Sequence, residues 1–572
     1  MQELTKAQKA RHAIREFKTI TDALALRGFY RPSGKMGKAL EFCLKNLRPE
    51  IYGSMNDPRV VELKGLEYVI DRLPRGVEEC TKIILTEEDP FENTAFEKIE
   101  PFKRRRTAYR VSKNEICIVI SRGLSEIYDI LTHITFLYAE AKKIYSRMID
   151  DSGNTSVEWK DLEKSHFNHS QLGAGDLDQS IWNLSLLLGR PYQEARETYE
   201  YLEKTRKEHS SNNGLFSLIY YLGHMIETEK KSLDDALVIY LTPSLMNIIG
   251  HQRYGKKWAA DIKQKLLELG LEKRPLHIVS ANLHSVVNSL YGFSAVREPF
   301  DGKDTGNVYD FFDALREQGE EVIRHALGNG LYEIPDTSGT HIDCQLIDLS
   351  RLESIPFHPG LDLKVSDPKG PSPVILVMDY AFGAQAFELM ENLLKPIPVN
   401  GSFQHLDIRS ISIMGKAGIL PGKQGDIILA SAHVFEGTSD NYIVENDIAE
   451  EDFSDDIDVY IGPITTVLGT SLQNRDVLEK FQSDWQAVGL EMEGGHYQRA
   501  ISAAIIKGNL SKDVKLRYAY YASDNPLSTG ATLAAGAMGS EGVKPTYMIT
   551  LIILQKILNP PFADDTTPME GT

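Results

Sequence analysis

Cysteine is scarce in this chain, with four in 572 residues. Cys43, Cys80, Cys117 and Cys344 are scattered without C-x-x-C spacing. That excludes a disulfide framework and a cysteine-ligated zinc site, and fits reduced thiols in the cytoplasm. Long apolar runs are missing too. The best of them, Tyr547-Met-Ile-Thr-Leu-Ile-Ile-Leu554, is cut by Lys556 and falls far short of the roughly 20 residues a bilayer requires. The opening Met1-Gln-Glu-Leu-Thr-Lys6 has no apolar stretch of the signal-peptide kind. Positive charge is in deficit: 63 Lys and Arg stand against 81 Asp and Glu, a net charge of −18. Such a chain is not a non-specific nucleic-acid binder. Neither a Gly-x-Ser-x-Gly elbow nor a Walker loop is present. A cytoplasmic protein with no membrane and no nucleic-acid partner is expected.

The remaining composition is that of a globular protein, and 572 residues are too many for one ordinary core. Two domains are expected, an α-helical one over 1–272 and an α/β one over 273–572. From about 5 to 270 the apolar residues recur at three and four, the helical period. Ile116 to Tyr145, Ser180 to Leu188, Tyr192 to His209, Leu215 to Glu227 and Leu233 to Tyr240 all read as helices. Gly189-Arg-Pro191 separates two of them, Asp150 to Ser156 is a polar connector, and another helix starts at Pro243. Lys103-Arg-Arg-Arg106 with Arg110 suits phosphate groups, although a basic run is more often a solvated turn. His166 and His169 have a spacing open to a metal, but no Cys, Asp or Glu ligand pattern accompanies them, so no metal is expected.

Near Arg274-Pro275 the texture changes to strands alternating with helices, the pattern of a βα fold. Leu276-His-Ile-Val-Ser280 is a strand leading into a helix through Leu290. An insertion follows at about 297–370, with Val308 to Leu327 helical and Ile342 to Asp348 a strand. Val374-Ile-Leu-Val-Met378 is continuously apolar, as buried parallel strands are, and turns through Asp379-Tyr-Ala-Phe-Gly383 into a helix from Ala384 to Leu394. Ile411 to Leu420 is a strand ending in a glycine turn at Gly415-Lys-Ala-Gly418. Gly425 to Ser431 and Val459 to Thr470 are further strands, and Asn446 to Asp458 is a solvated acidic flap. The glycine-rich stretch Gly536 to Gly542 is a plain loop, since it does not follow a strand in a βαβ unit.

Two segments carry the chemistry. Gly489-Leu-Glu-Met-Glu-Gly-Gly-His496 places Glu491 and Glu493 at a glycine-opened turn before a helix. Leu516-Arg-Tyr-Ala-Tyr-Tyr-Ala522 is a strand that delivers Ser523 and Asp524 to its carboxyl end, where Pro526 stops it. Open α/β sheets bind ligands at that end of their strands. Paired carboxylates can hold a diol, and a desolvated Asp can give up a proton near neutrality.

Glu-Met-Glu-Gly followed by a strand ending in Ser-Asp resembles the nucleoside phosphorylase/nucleosidase superfamily, and the form Ser523-Asp-Asn-Pro-Leu527 is most similar to AMP nucleosidase. The resemblance covers about 275 to 560. It implies a three-layer α/β nucleoside phosphorylase-like domain that cleaves the N-ribosidic bond of a purine nucleoside or nucleotide. By the same resemblance Asp524 protonates the purine with Ser523 orienting it, Glu493 takes the ribose hydroxyls, Met492 packs on the sugar, and Glu491 lines the same wall. Gly415, Lys416, Asp379 and His284 fall at turns that approach the substrate in relatives, which usually form homo-oligomers.

Three positions depart from the family. Leu283 and His284 occupy the turn where methylthioadenosine nucleosidases carry a water-activating Glu. Tyr520 replaces an Arg, and Lys416 stands where phosphorylases offer Ser or Thr to phosphate. Hydrolysis is therefore favoured over phosphorolysis, with no cofactor beyond phosphate as a candidate co-substrate. The alternative is an inactive nucleosidase-like domain that binds a nucleotide as a sensor or scaffold. A third reading makes the N-terminal half an interaction module.

Overall fold

A computed structural model describes residues 4–559 apart from 88–90, 92, 105, 151, 169–172, 249–251, 297–306, 365–370, 400, 455 and 530–538. The chain forms two compact units. The first holds Met1–Arg253 and takes in Leu468–Lys480, while the second holds Tyr254–Val467 and Phe481–Thr529 and runs on toward the C-terminus. The helix Arg253–Glu268 contributes Trp258, Ala259, Ile262 and Leu266 to the core of the second unit. That unit therefore starts about twenty residues before the textural change at Arg274-Pro275.

The first unit is not purely helical. It contains a six-stranded sheet of β1 (Phe29–Tyr30), β2 (Lys82–Thr86), β3 (Glu97–Lys98), β4 (Ala108–Ser112), β5 (Glu115–Val119) and β6 (Val238–Leu241), in the order β1-β6-β2-β5-β4-β3. β2 runs parallel to both β5 and β6. Two of these strands fall in stretches whose sequence suggests helix, Ile116–Val119 and Val238–Leu241. Both are short apolar runs rich in β-branched residues, and the sheet buries them where an isolated helix turn would leave them half solvated. The long helix Gly123–Met148 begins only after Gly123 takes a left-handed turn (φ 64°). Glu126 secures its start by accepting from the backbone N–H groups of Ser121 and Arg122. Tyr192–His209 is helical over the expected span, with Gly189 in the left-handed conformation (φ 65°) closing the helix before it.

The second unit holds β7 (Leu276–Ser280), β8 (Leu331–Ile334), β9 (Cys344–Asp348), β10 (Val374–Met378), β11 (Ile397–Val399), β12 (Ser402–Gln404), β13 (Ile408–Ile419), β14 (Ile427–Phe435), β15 (Asn441–Ile443), β16 (Val459–Thr466), β17 (Gly489–Glu491) and β18 (Lys515–Asp524). β7, β10, β13 and β18 are parallel neighbours or share one. Successive residues of β10 enter opposite cores: Val374, Leu376 and Met378 join the helices Arg253–Glu268, Gln385–Leu393 and Gly494–Ile506, while Ile375 and Val377 join Leu283–Ala295 and Val543–Leu558. This is a three-layer α/β domain. The segment read as an insertion adds β8 and β9 to the sheet as antiparallel strands. Its helical stretch breaks at Leu315–Gln318 into a tighter turn before restarting at Gly319.

β13, β18, β14, β16 and β17 close on themselves. β13 pairs with β18, β18 with β14, β14 with β16, β16 with β17, and β17 again with β13. Among the described residues no helix is long and apolar enough to cross a membrane, and all four cysteines are buried and outside any disulfide. His169 lies outside the described residues, as do 536–538 of the stretch read as a plain loop, whose remainder, Gly539–Gly542, forms a single 3-10 turn. The ring of His166 stacks on Tyr220 with centroids 4.3 Å apart.

Candidate active site

Ring closure brings the two chemical segments to one strand. Gly418 of β13 pairs with Leu490 on one side and with Asp524 on the other. Adjacent strands lie about 4.8 Å apart, so the Glu-Met-Glu turn and the Ser-Asp strand end stand roughly 10 Å apart across β13. Ser280 of β7 pairs with Ile413 of β13 and Met378 of β10 pairs with Ser280. β13 and β18 thus run several residues past the carboxyl ends of β7 and β10, forming a shelf above the turns at Asn282 and Asp379.

The glycine turn expected at Gly415-Lys-Ala-Gly418 is not a turn. The strand continues to Ile419 because both of its edges are occupied, by β18 through Gly418 and by β17 at Gly418 and Ile419. At Gly415 a Cβ would make only ordinary contacts, 3.7 Å from the ring of Tyr380 and 3.9 Å from that of Tyr520. Lys416 next to it is exposed.

Glu491 is 3% exposed, and Met492 beside it is buried. The Glu491 carboxylate accepts from Thr466 Oγ1 at 2.6 Å and from the backbone N–H groups of Glu493 and Gly494. Nδ1 of the fully buried His433 stands 3.6 Å from Glu491 Oε1. Burial pushes the Glu491 carboxyl up, but His433, Thr466 and Gly494 together outweigh it and hold the group below the usual glutamate range. Glu491 is thus an ionised clamp on the turn that presents Met492 and Glu493. Glu493 is half-buried and accepts at Oε1 from the backbone N–H of Gly383 at 2.8 Å, which ties this turn to the one after β10. In the β10 turn Asp379 is half-buried and its Oδ1 accepts from the Tyr380 N–H at 2.8 Å.

The two glycines that open the helix Gly494–Ile506 are required by crowding. A Cβ on Gly494 would lie 2.3 Å from Tyr520 Oη and 2.4 Å from His433 Cε1, and one on Gly495 would lie 2.4 Å from Thr466 Oγ1. Among the described residues both ring nitrogens of His433 and the hydroxyl of Tyr520 are buried without a hydrogen-bond partner.

On the other flank Ser523 and Asp524 are buried. Ser523 Oγ lies 2.6 Å from Asp524 Oδ1 and 3.2 Å from the carbonyl of Ala417, two acceptors for its one hydrogen. Asp524 Oδ2 is buried and has no hydrogen-bond partner among the described residues. Burial raises the Asp524 carboxyl to about 6, against the lowering influence of Ser523 and of Lys416. The strand therefore ends in a carboxyl poised near neutrality with one bare oxygen, beside an exposed lysine. Asn525 fixes the exit by donating to the carbonyls of Leu420 and Gly422.

The shelf gathers Glu491, Met492, Glu493, Gly415, Lys416, Ser523 and Asp524, and the turn after β10 joins it through Gly383. His284 is exposed on the first turn of the helix Leu283–Ala295, whose cap is Asn282. Thr466, His433 and Gly383 belong to the site's framework and were not singled out from sequence. Gly383 is the last residue of the turn after β10, and His433 sits in the apolar run of β14. Thr466 gives no signal, because its partner Glu491 is brought to it only by strand pairing.

The sequence model of DUF6909, a family of unknown function, matches residues 38–299 and 308–559. No curated protein matches the chain. Solved structures similar to about half of it include the 5′-methylthioadenosine/S-adenosylhomocysteine nucleosidase of Campylobacter jejuni, with 12% identity, 49% of this chain and 97% of that one covered and a TM-score of 0.28. The futalosine hydrolase of Helicobacter pylori strain 26695 shows 13% identity over 50% of this chain and 97% of its own, with a TM-score of 0.27. The purine nucleoside phosphorylase of Toxoplasma gondii shows 15% identity over 50% and 92%, with a TM-score of 0.27.

Proposed function

We propose that this chain, which belongs to the DUF6909 family, cleaves the N-ribosidic bond of a purine nucleoside or nucleotide, with water as the acceptor. The observation that carries the reading is Asp524, a buried carboxyl raised to about 6 with Oδ2 unpartnered, facing the Glu-Met-Glu turn across one strand. Breaking the C1′–N bond leaves the electron pair on the base and positive charge on the ribosyl ring. A catalyst lowers that barrier by protonating the departing base and holding the sugar in place. In this reading Asp524 gives its proton to a purine nitrogen and Ser523 holds the carboxyl in orientation. Glu493 accepts from the ribose hydroxyls and its charge favours the cationic sugar, while Met492 packs against the ring. Glu491 acts indirectly, by fixing the turn. Water then adds to C1′ and loses a proton, giving free base and ribose or ribose phosphate. Water is preferred to phosphate because β13 offers Lys416 in place of a hydroxyl, and the same lysine suits a substrate's 5′-phosphate. Asp379 and His284, at the neighbouring turns, are the groups placed to approach the water.

The test is release of free base from AMP, adenosine, inosine, guanosine and methylthioadenosine, with and without phosphate, by wild type and Asp524→Asn. Phosphate-independent release that falls at least about a hundredfold in the variant is expected, the scale of a lost general acid. A wild type silent on every substrate refutes the enzyme reading. Calorimetric binding of the same compounds would then favour the nucleotide-binding domain without turnover.

A further inference from the structure

The basic run Lys103-Arg-Arg-Arg106 is not used by the shelf, and in the N-terminal unit it lies beside a buried cation, Arg72, that makes no direct ion pair among the described residues. Arg105 lies outside the described residues. Arg106 is buried and donates to Glu126 at 3.0 Å and to Asp129 Oδ2 at 3.0 Å. Arg104 Nε stands 3.5 Å from the same Asp129 oxygen. Nε2 of the fully buried His133 lies 3.2 Å from the other. Lys103 pairs with Asp71 at 2.7 Å. Asp71 takes Lys103 and the Tyr201 hydroxyl on the same oxygen, Oδ2, and its Oδ1 is buried with no hydrogen-bond partner among the described residues.

Arg72 stands apart from these pairs. It is 5% exposed, its guanidinium carbon sits 3.5 Å from the ring centroid of Tyr68, and its Nη1 donates at 2.9 Å to the Tyr68 carbonyl of the preceding helix Leu63–Ile70. Among the described residues no carboxylate lies within ion-pair distance of it, and its buried Nε–H has no acceptor. A guanidinium out of water with an unmet donor is costly unless an anion meets it. Tyr68 holds the stack in place: its hydroxyl bonds Thr470 Oγ1 at 2.9 Å and its ring lies edge-on to His133 at 5.8 Å.

We propose that Arg72, flanked by Arg104 and His133, forms an anion site in the N-terminal unit that takes a phosphate group, free or carried on a nucleotide. The planar fork of Arg72 matches two phosphate oxygens. The half-buried Arg104 and the exposed Lys103 mark the side from which the anion enters. The site is separate from the shelf and goes beyond the function proposed for it.

The experiment is calorimetric titration of the full chain with inorganic phosphate at fixed ionic strength, for wild type, Arg72→Gln, Arg104→Gln and Lys416→Ala. Phosphate affinity should fall about tenfold or more in both arginine variants and stay unchanged in Lys416→Ala. Arg104→Gln, at a half-buried position, decides the matter if Arg72→Gln does not fold. Repeating the titration of Lys416→Ala in the presence of AMP, with adenosine as control, assigns the source. Displacement by AMP alone supports the site and identifies a nucleotide phosphoryl group, whereas no displacement supports it for the free anion. Absence of phosphate binding in wild type overturns the proposal. So does affinity that survives in the arginine variants, or that is lost only with Lys416.

Discussion

A carboxyl held by one hydroxyl, with its other oxygen bare and buried, titrates where its environment puts it, and for Asp524 that is about 6. If the protonated form donates to the leaving base, kcat/KM should be flat at low pH and fall about tenfold per unit above pH 6. That limb should be missing from whatever residual activity Asp524→Asn retains. A pH–rate profile checks this, and a flat profile through pH 8 would remove Asp524 from the acid's role. The same shift has a consequence for stability. A folded pKa above the ordinary aspartate value near 3.9 means that the folded state binds the proton more tightly than the unfolded one. Stability attached to this group is therefore full below about pH 4 and lost as pH rises through 6. Asp524→Asn, which cannot ionise, should be more stable than wild type at pH 8 by about 3 kcal/mol, with most of the gain gone at pH 4. Denaturant melts at the two pH values read it directly.

The shelf depends on elements as well as single groups, because its two flanks meet only through the ring of β13, β14, β16, β17 and β18. The joint between β16 and β17 is the Thr466–Glu491 hydrogen bond in a fully buried setting. Thr466→Val keeps the shape and leaves the Glu491 carboxylate short of a donor, at a cost of about 1–3 kcal/mol. Gly494→Ala drives a Cβ into Tyr520 Oη and His433 Cε1, and overpacking of this kind costs about 1–3 kcal/mol. Both variants should lower the thermal midpoint and reduce binding to the shelf. Unchanged ligand affinity in both would show that the turn does not need the clamp.

The legibility of these elements in the sequence follows from physical range. Val374–Met378 was readable to the residue because a strand buried on both faces is apolar throughout, and Leu276–Ser280 because its apolar residues follow the break at Arg274-Pro275 despite His277 and Ser280. The order of Glu-Met-Glu and Ser-Asp was readable because a local turn and a strand end carry their own residues. Ile116–Val119 and Val238–Leu241 were not, since four or five apolar residues beside helices fit either period. Nor was the passage of β13 through Gly415 and Gly418, where the neighbouring strands override two glycines. The Thr466–Glu491 and Gly383–Glu493 bonds join residues 25 and 110 positions apart, and no local pattern announces such pairs.

At the scale of the whole molecule, the division of the chain is the informative feature, because the N-terminal unit is not a continuous piece of sequence. Leu468–Lys480, which follows β16, belongs to it. Within that unit Tyr68 bonds Thr470, the N–H of Glu50 donates to the carbonyl of Gln473 at 2.9 Å, and Asn474 Nδ2 donates to the carbonyl of Arg48 at 3.2 Å. Leu472 is 2% exposed, and the Arg475 N–H donates to Glu50 Oε1 at 3.1 Å. A fragment ending at Arg253 lacks all of these. It exposes the apolar surface that Leu472 covers, and it leaves Tyr68, on whose ring Arg72 is stacked, without the Thr470 partner of its hydroxyl. Losing one buried leucine costs about 2–5 kcal/mol, a large share of a domain's net stability of roughly 5–15 kcal/mol. The fragment 1–253 should therefore unfold at lower denaturant than the corresponding transition of the full chain and be cut faster in limited proteolysis. Adding a synthetic peptide of residues 468–480 should slow the cutting. A fragment as resistant as the intact chain would mean that the N-terminal unit is complete without its borrowed segment.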